Sequence, residues 1–172
     1  MKKISYFTSA ILASFLLTSA LFANDLEVEF VDEKWNGQII PADEVCSNYN
    51  TEPGSTPSLI ITNLPENAFK VIMKFNDKTF TKMDDGGHGI ISYLLEEGSD
   101  SVEIPALMGE TFELDEGFEV VKAHTGTRFN KTAGAYLAPC SGGKGNTYTV
   151  DITVVDAENN PLTTKEVVLG KF

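Results

Sequence analysis

The stretch that decides the fold of this 172-residue chain is Asn146-Thr147-Tyr148-Thr149-Val150-Asp151-Ile152-Thr153-Val154-Val155. Every second residue from Tyr148 to Val154 is apolar or aromatic, whereas the residues between them are threonine and aspartate. This alternation is the period of a β-strand with one face on a core and the other in water. The approach to the strand, residues 134–140 and the glycine-rich loop 141–145, is chemically mixed and is a candidate site, because a rigid strand positions loop residues. The alternative is an ordinary loop that feeds a core strand.

Shorter runs upstream of this strand are also typical of β-strands. They lie at residues 26–30, 59–61, 69–75, 90–95, 102–104 and 118–121. In the longest of these runs, the predicted inner face consists of Phe69, Val71, Met73 and Phe75. Residues 35–58 are rich in loop formers, and no segment has a sustained helical period. The sequence therefore predicts a mainly-β fold, an antiparallel β-sandwich with Greek-key connections and few short helices, or alternatively a Greek-key barrel.

The N-terminus has the layout of a secretory signal peptide. Lys2 and Lys3 precede residues 4–22, which are apolar or small and uncharged, and Ala23 is followed by an acidic segment. We expect residues 1–23 to be removed after Ala23, or after Ala20, which leaves residues 24–172 as a single domain without a stable membrane span. A membrane anchor is the alternative, although serines and threonines interrupt the apolar run. The predicted location is the bacterial periplasm or the extracellular medium.

The charge of the chain excludes one class of partner. The formal net charge is −12. Because the predicted signal peptide contains two lysines and no acid, the mature chain carries about −14. No basic patch remains that could neutralise phosphates along a nucleic acid, so nucleic-acid binding is not expected.

Two cysteines, Cys46 and Cys140, lie far apart in the sequence. In an oxidising compartment an isolated pair is more often bridged than free. We therefore predict a disulfide that ties an early loop to the loop before residue 146, with two free thiols as the alternative.

The remaining motifs do not support catalysis or a cofactor. The histidines, His88 and His124, have no metal-ligand spacing around them, and residues 84–88 are typical of a turn. Residues 142–145 lack the Ser or Thr that a Walker loop needs after Lys144. Ser141 has no nucleophile-elbow context. The sequence thus predicts no metal, no cofactor and no enzyme activity.

Six segments occur in the same order as the motifs of a known family. They are Gly37-Gln38-Ile39-Ile40-Pro41 through Cys46, Ser55-Thr56-Pro57-Ser58-Leu59 with Asn63-Leu64-Pro65, Val71 to Asp77, Gly87-His88 to Leu95, Tyr136-Leu137-Ala138-Pro139-Cys140, and Asn146-Thr147-Tyr148. The match covers about residues 26–156. In this serial order the chain resembles the phosphatidylethanolamine-binding protein family, in particular its bacterial Raf-kinase-inhibitor-like branch.

The resemblance implies a β-sandwich with a small surface cavity that accepts anionic groups such as phosphate or a phospholipid head. Carried over residue by residue, it implies a ligand-binding set made of Asp77, His88, Tyr136, Pro139, Asn146 and Tyr148. In this interpretation the imidazole and the phenol donate to an anion, and the carboxylate sets the tautomer or charge of the histidine. Without the resemblance, His88 is interpreted as an ordinary strand-end histidine.

The chain also departs from the family pattern. Asn146 and Thr147 stand where the family has a histidine and an arginine, so two donors that can carry charge are missing. Residues 163–172 are too few for the helix and final strand that the family adds. Lys144 is a hypothetical replacement cation.

These observations lead to two expectations for function. The first is an exported, non-catalytic binding protein whose cavity takes a small anionic or polar ligand. The second is a protein-interaction or inhibitory module with a degenerate cavity and a protein partner in the cell envelope. A hydrolase that uses His88 and Asp77 has less support, because neither a nucleophile nor a metal is evident.

Overall fold

The structure is a computed structural model that describes residues 25–128 and 130–172. The predicted signal peptide, residues 1–23, lies outside these residues. Within them, no helix is long and apolar enough to cross a membrane.

The described residues form eight strands and one short 3₁₀ helix, Gly126–Arg128. The strands are β1 (Glu27–Phe30), β2 (Leu59–Thr62), β3 (Lys70–Asp77), β4 (Ile90–Leu94), β5 (Ser101–Ile104), β6 (Phe118–Lys122), β7 (Thr147–Val155) and β8 (Pro161–Lys171). One sheet has the order β1-β2-β5 and the other the order β6-β4-β3-β7-β8. All neighbouring strands pair antiparallel. The predicted mainly-β antiparallel fold is therefore confirmed, and the two sheets fit the sandwich prediction.

Strand β7 lies inside the larger sheet, between β3 and β8. Its predicted inner residues, from Tyr148 to Val154, are all buried, with exposures of 0–2%. Thr149, which the alternation assigns to water, is buried as well. Its hydroxyl accepts a hydrogen bond from the side-chain amide of Asn76 (3.3 Å). The second face of β7 thus includes a buried polar pair that is hydrogen-bonded, in addition to the Lys74–Asp151 ion pair (3.2 Å).

Two features of the larger sheet differ from the sequence interpretation. Phe69 precedes β3 and is 41% exposed, so its assignment to the inner face is wrong, whereas Val71, Met73 and Phe75 are buried as predicted. Strand β8 was not predicted, although it is the longest strand described. From Thr163 to Leu169 its half-buried and exposed residues alternate, but the half-buried face includes Thr163 and Lys165, so the sequence shows no apolar period there.

An irregular segment, residues 135–138, runs through the core without belonging to a strand. All four of its residues are 0–1% exposed. Its backbone is paired: the Ala135 amide donates to Thr111 (2.9 Å) and the Leu137 amide donates to His88 (2.9 Å). These bonds are needed because an unpaired buried amide is costly. The segment therefore has a defined position next to the start of β4.

The predicted disulfide is confirmed. Cys46 and Cys140 are bonded across 94 residues, with their Cα atoms 5.3 Å apart. The backbone amide of Cys46 also donates to the Pro139 carbonyl (3.1 Å). The bridge therefore ties the long N-terminal loop to the segment that leads into β7.

Removing this bridge should destabilise the protein. We expect Cys46→Ala with Cys140→Ala to lower the free energy of unfolding by about 2–5 kcal/mol, because the unfolded chain regains the entropy of a long loop. Urea unfolding with and without reductant measures the effect. Reductant should shift the wild-type midpoint and leave the double variant unchanged; an equal shift in both proteins would contradict the prediction.

Gly89, the residue before β4, lies directly against the buried segment 135–138. Its φ is +119°, and an added Cβ would collide with the backbone carbonyl of Ala135. We expect Gly89→Ala to lower the free energy of unfolding by about 3 kcal/mol or more, since backbone strain and overpacking each cost about 1–3 kcal/mol. The control is Gly98→Ala, at φ +75° with open space around it, where a loss of about 1 kcal/mol is expected. Equal losses would exclude the proposed collision.

Candidate functional site

A cavity of about 640 Å³ opens at one end of the larger sheet. Its wall includes four of the predicted site residues, Asp77, His88, Asn146 and Tyr148. The fold brings them together because Asp77 and Tyr148 are register partners in the β3–β7 pair. The amide of His88 donates to the carbonyl of Phe75 (3.2 Å), so the histidine also lies against the end of β3.

Two other predicted site residues are not in the cavity wall. Tyr136 is 1% exposed and packs on Phe75 in the core, with ring centroids 4.8 Å apart. Pro139 is also outside the wall. The backbone carbonyl of Pro139 accepts a hydrogen bond from the amide of Cys46. Neither side chain is therefore available to a ligand in the cavity.

Asp77 is a buried carboxylate, 3% exposed, that organises the loop after β3. Its Oδ1 accepts the backbone amides of Thr79 and Phe80, each at 2.9 Å. Its Oδ2 accepts the side-chain amide of Asn146 at 2.6 Å. Three donors thus support this carboxylate, and the Asn146 bond joins the end of β3 to the loop before β7.

His88 is neutral and its tautomer is determined by the backbone. Its Nδ1 lies 2.7 Å from the carbonyl oxygen of Leu137, which can only accept, so Nδ1 carries the proton. Burial lowers the pKa of His88 to about 4, and the bond to Leu137 and the charge of Asp77 oppose this only in part. Leu137, rather than Asp77, therefore sets the tautomer. The neutral ring has no second N–H to donate to an anion.

Tyr148 retains its proton, and its hydroxyl has a hydrogen bond with the side chain of Ser141. Its hydroxyl oxygen accepts the backbone amide of Cys140 (3.2 Å). Burial raises the pKa of Tyr148 to about 12. Its ring lies edge-on to the imidazole of His88, with centroids 5.2 Å apart and planes at 89°. The phenol is therefore held at a defined angle beside the histidine.

Two cations complete the cavity wall, Arg128 and Lys144. Both are exposed, and no carboxylate in the described part of the chain lies within ion-pair distance of either. The sequence interpretation considered Lys144 but missed Arg128. A signal was available, because Arg128 is the only arginine in an otherwise strongly acidic chain.

The loop that carries Lys144 is anchored to the last residue of the chain. The backbone amides of Gly145 and Asn146 both donate to the carbonyl oxygen of Phe172 at 2.9 Å, and Ser141 donates its hydroxyl to the same oxygen. The Phe172 ring packs on Tyr49, another residue of the wall, with centroids 5.8 Å apart. Both ends of the glycine-rich loop are therefore held in place before a ligand arrives.

The other motifs noted in the sequence have structural roles. Residues 84–88 form a turn, in which Asp84 and Asp85 pair with Lys78 (3.3 Å) and Lys74 (2.9 Å). His124 lies outside the cavity wall and accepts the amide of Gly126 (3.2 Å). Within residues 25–128 and 130–172, no group of three or more His, Cys, Asp or Glu side chains is arranged to hold a metal ion.

The chain was compared with family models, curated proteins and solved structures. No family model, no curated protein and no solved structure matches this chain. The function is therefore inferred from the chemistry of the cavity.

The buried, neutral state of His88 predicts a specific loss of stability in acid. Between pH 6.5 and 4 the unfolded chain binds a proton on His88 and the folded chain does not. The contribution of His88 to the free energy of unfolding should therefore be fully present above pH 6.5. The free energy of unfolding should fall by roughly 3 kcal/mol as the pH drops to 4. Urea unfolding across this range, for wild type and His88→Gln, isolates the contribution because the other titrating groups are shared. Identical pH dependence in the two proteins would contradict this account.

Proposed function

We propose that this chain is an exported, non-catalytic binding protein and a divergent member of the phosphatidylethanolamine-binding protein family. Its cavity would take a small anionic or polar ligand, in the periplasm or outside the cell. The serial order of the motifs supports the family, and the meeting of Asp77, His88, Asn146 and Tyr148 in one cavity is what the resemblance implies.

One observation carries the proposal for the ligand. The cavity wall contains one carboxylate and two cations that form no ion pair with any described residue, in a chain whose formal net charge is −12. The remainder of the surface therefore repels anions, while the wall attracts them. Arg128 adds a planar set of donors that suits carboxylates and phosphates, and Lys144 adds a second point charge.

The hydrogen bonds of the cavity favour binding over hydrolysis. Ser141, the serine in the wall, donates its hydroxyl to the carbonyl of Phe172. Within the described residues no hydrogen bond joins Ser141 to His88, so the two do not form an activated nucleophile with its base. Asp77 is occupied by two backbone amides and Asn146.

Export is supported by two independent features. Residues 1–23 have the sequence of a signal peptide, and the disulfide between Cys46 and Cys140 is typical of an oxidising compartment. The two features together support export more strongly than either one alone.

A protein-interaction module is the second candidate. Strand β6 is at an edge of the larger sheet and exposes Val120 (39%) and Val121 (53%). An edge strand with apolar side chains can pair with a strand of another protein. In this alternative an envelope protein would bind at β6, and the cavity would have no ligand.

An NMR titration of the ¹⁵N-labelled protein with inorganic phosphate, acetate and phosphoethanolamine tests the first candidate. We expect saturable shifts at Tyr148, Asn146 and Lys144, and a loss of affinity of about tenfold when Arg128→Gln removes one charge-assisted contact. Lys122→Gln is the matched control, since Lys122 is an exposed cation on β6 outside the wall. The absence of shifts with every probe would refute anion binding and favour the interaction module.

A further inference from the structure

The hydrogen bonds inside the cavity leave an unusual set of groups for a ligand. Three residues, Asp77, His88 and Asn146, form what we term the acceptor cluster. One N–H of the Asn146 side-chain amide donates to Asp77 (2.6 Å), and the N–H of His88 donates to Leu137 (2.7 Å). The second N–H of Asn146 is the remaining donor of the cluster, whereas the Oδ1 of Asn146, the Nε2 of His88 and the oxygens of Asp77 all accept.

The carboxylate of Asp77 still has capacity for a donor. An ionised carboxylate offers about four lone-pair positions. Three are occupied, by the amides of Thr79 and Phe80 on Oδ1 and by Asn146 on Oδ2. Because Asp77 and His88 are each only 3% exposed, a ligand that covers them excludes most remaining water.

Donors are found on other residues of the same wall. Tyr148, Arg128 and Lys144 form the donor cluster. The Tyr148 hydroxyl already has hydrogen bonds with Cys140 and Ser141, so the two exposed cations supply most of the donors for a ligand. Most acceptors of the cavity thus lie in one cluster, and its charged donors lie in the other.

A ligand with only negative charge fits half of this wall. Its oxygens would pair with the donor cluster, but beside Asp77 they would meet a like charge, and the acceptors there would lose water without gaining a donor. A ligand with only positive charge meets the opposite problem at Arg128 and Lys144. A molecule with both groups satisfies both clusters.

We propose that the ligand is a small zwitterion of the amino-acid class, with its ammonium on the acceptor cluster and its carboxylate on the donor cluster. This inference rests on the proposed binding function and names its ligand class. An ammonium has three donors, and the acceptor cluster offers three kinds of acceptor, from a carboxylate, an imidazole and an amide. The cavity, at about 640 Å³, has room for a molecule of this size.

The test is a calorimetric or NMR titration of the mature chain with matched probes. The ω-amino acids β-alanine, γ-aminobutyrate and 5-aminovalerate carry both groups at three spacings. Butyrate lacks the amine, propylamine lacks the carboxylate, and inorganic phosphate is the purely anionic probe. We expect at least one amino acid to bind about tenfold or more tightly than butyrate, propylamine and phosphate, because a charge-assisted hydrogen bond is worth about that factor.

Two variants separate the clusters. Asp77→Asn should reduce the preference for the amino acid over butyrate to about onefold, while Arg128→Gln should weaken both probes and leave that preference intact. The asparagine keeps an acceptor for the amides of Thr79 and Phe80, and a dispersed amide spectrum shows that the variant is folded. If it does not fold, the wild-type probe series decides the question.

The outcomes distinguish this inference from the function on which it rests. Binding of butyrate or phosphate as tight as that of every amino acid overturns the zwitterion and leaves anion binding intact. Tight binding of propylamine alone overturns both, as does the absence of binding by every probe.

Discussion

The antiparallel pairing of β3 with β7 is the constraint on which the rest of the structure depends. The register runs without interruption from Lys70 and Val155 to Asp77 and Tyr148. Buried side chains on both strands enforce it, since a slip of one residue would turn every inner side chain towards the other face. The same slip would remove Tyr148 from the cavity. Core packing therefore positions the site. Hydrophobic burial holds β3 and β7 together, and the polar residues of the site lie at the end of this strand pair.

The chemistry of the cavity depends on the irregular buried segment beside it. Residues 135–138 do not pair as a strand, and their backbone amides bond to carbonyls of separate segments, at Thr111 and His88. The carbonyl of Leu137 therefore takes the proton of His88, and burial keeps that ring neutral. A histidine that a sequence comparison assigns to anion binding thus offers an acceptor instead. Desolvation outweighs the nearby charge of Asp77, because the ring is buried away from the water that would stabilise its charged form.

Sequence patterns predicted much of the fold, and four of the predicted site residues lie in the cavity wall. The predicted strands correspond to β1–β7, and Cys46 bonds with Cys140 as expected. Tyr136 and Pro139 belong to the same motif as Cys140 but do not line the cavity, since adjacency in a motif does not say which side chain faces a cavity and which faces the core. Arg128 was missed because it lies in no recognisable motif and reaches the wall only through the short 3₁₀ helix. Strand β8 was missed because its inner face includes Thr163 and Lys165, so its alternating burial does not appear as an apolar period in the sequence.

By itself the sequence determined the strands, the turns and the acidic charge, since periodicity and composition are local properties that each segment carries without its neighbours. Only the tertiary structure decided which groups of the site donate and which accept. The state of His88 depends on a carbonyl 49 residues away, and Asn146 is oriented by a carboxylate 69 residues away. Burial and hydrogen-bond partners of this kind exist only after the chain has folded, so no pattern along the chain contains them.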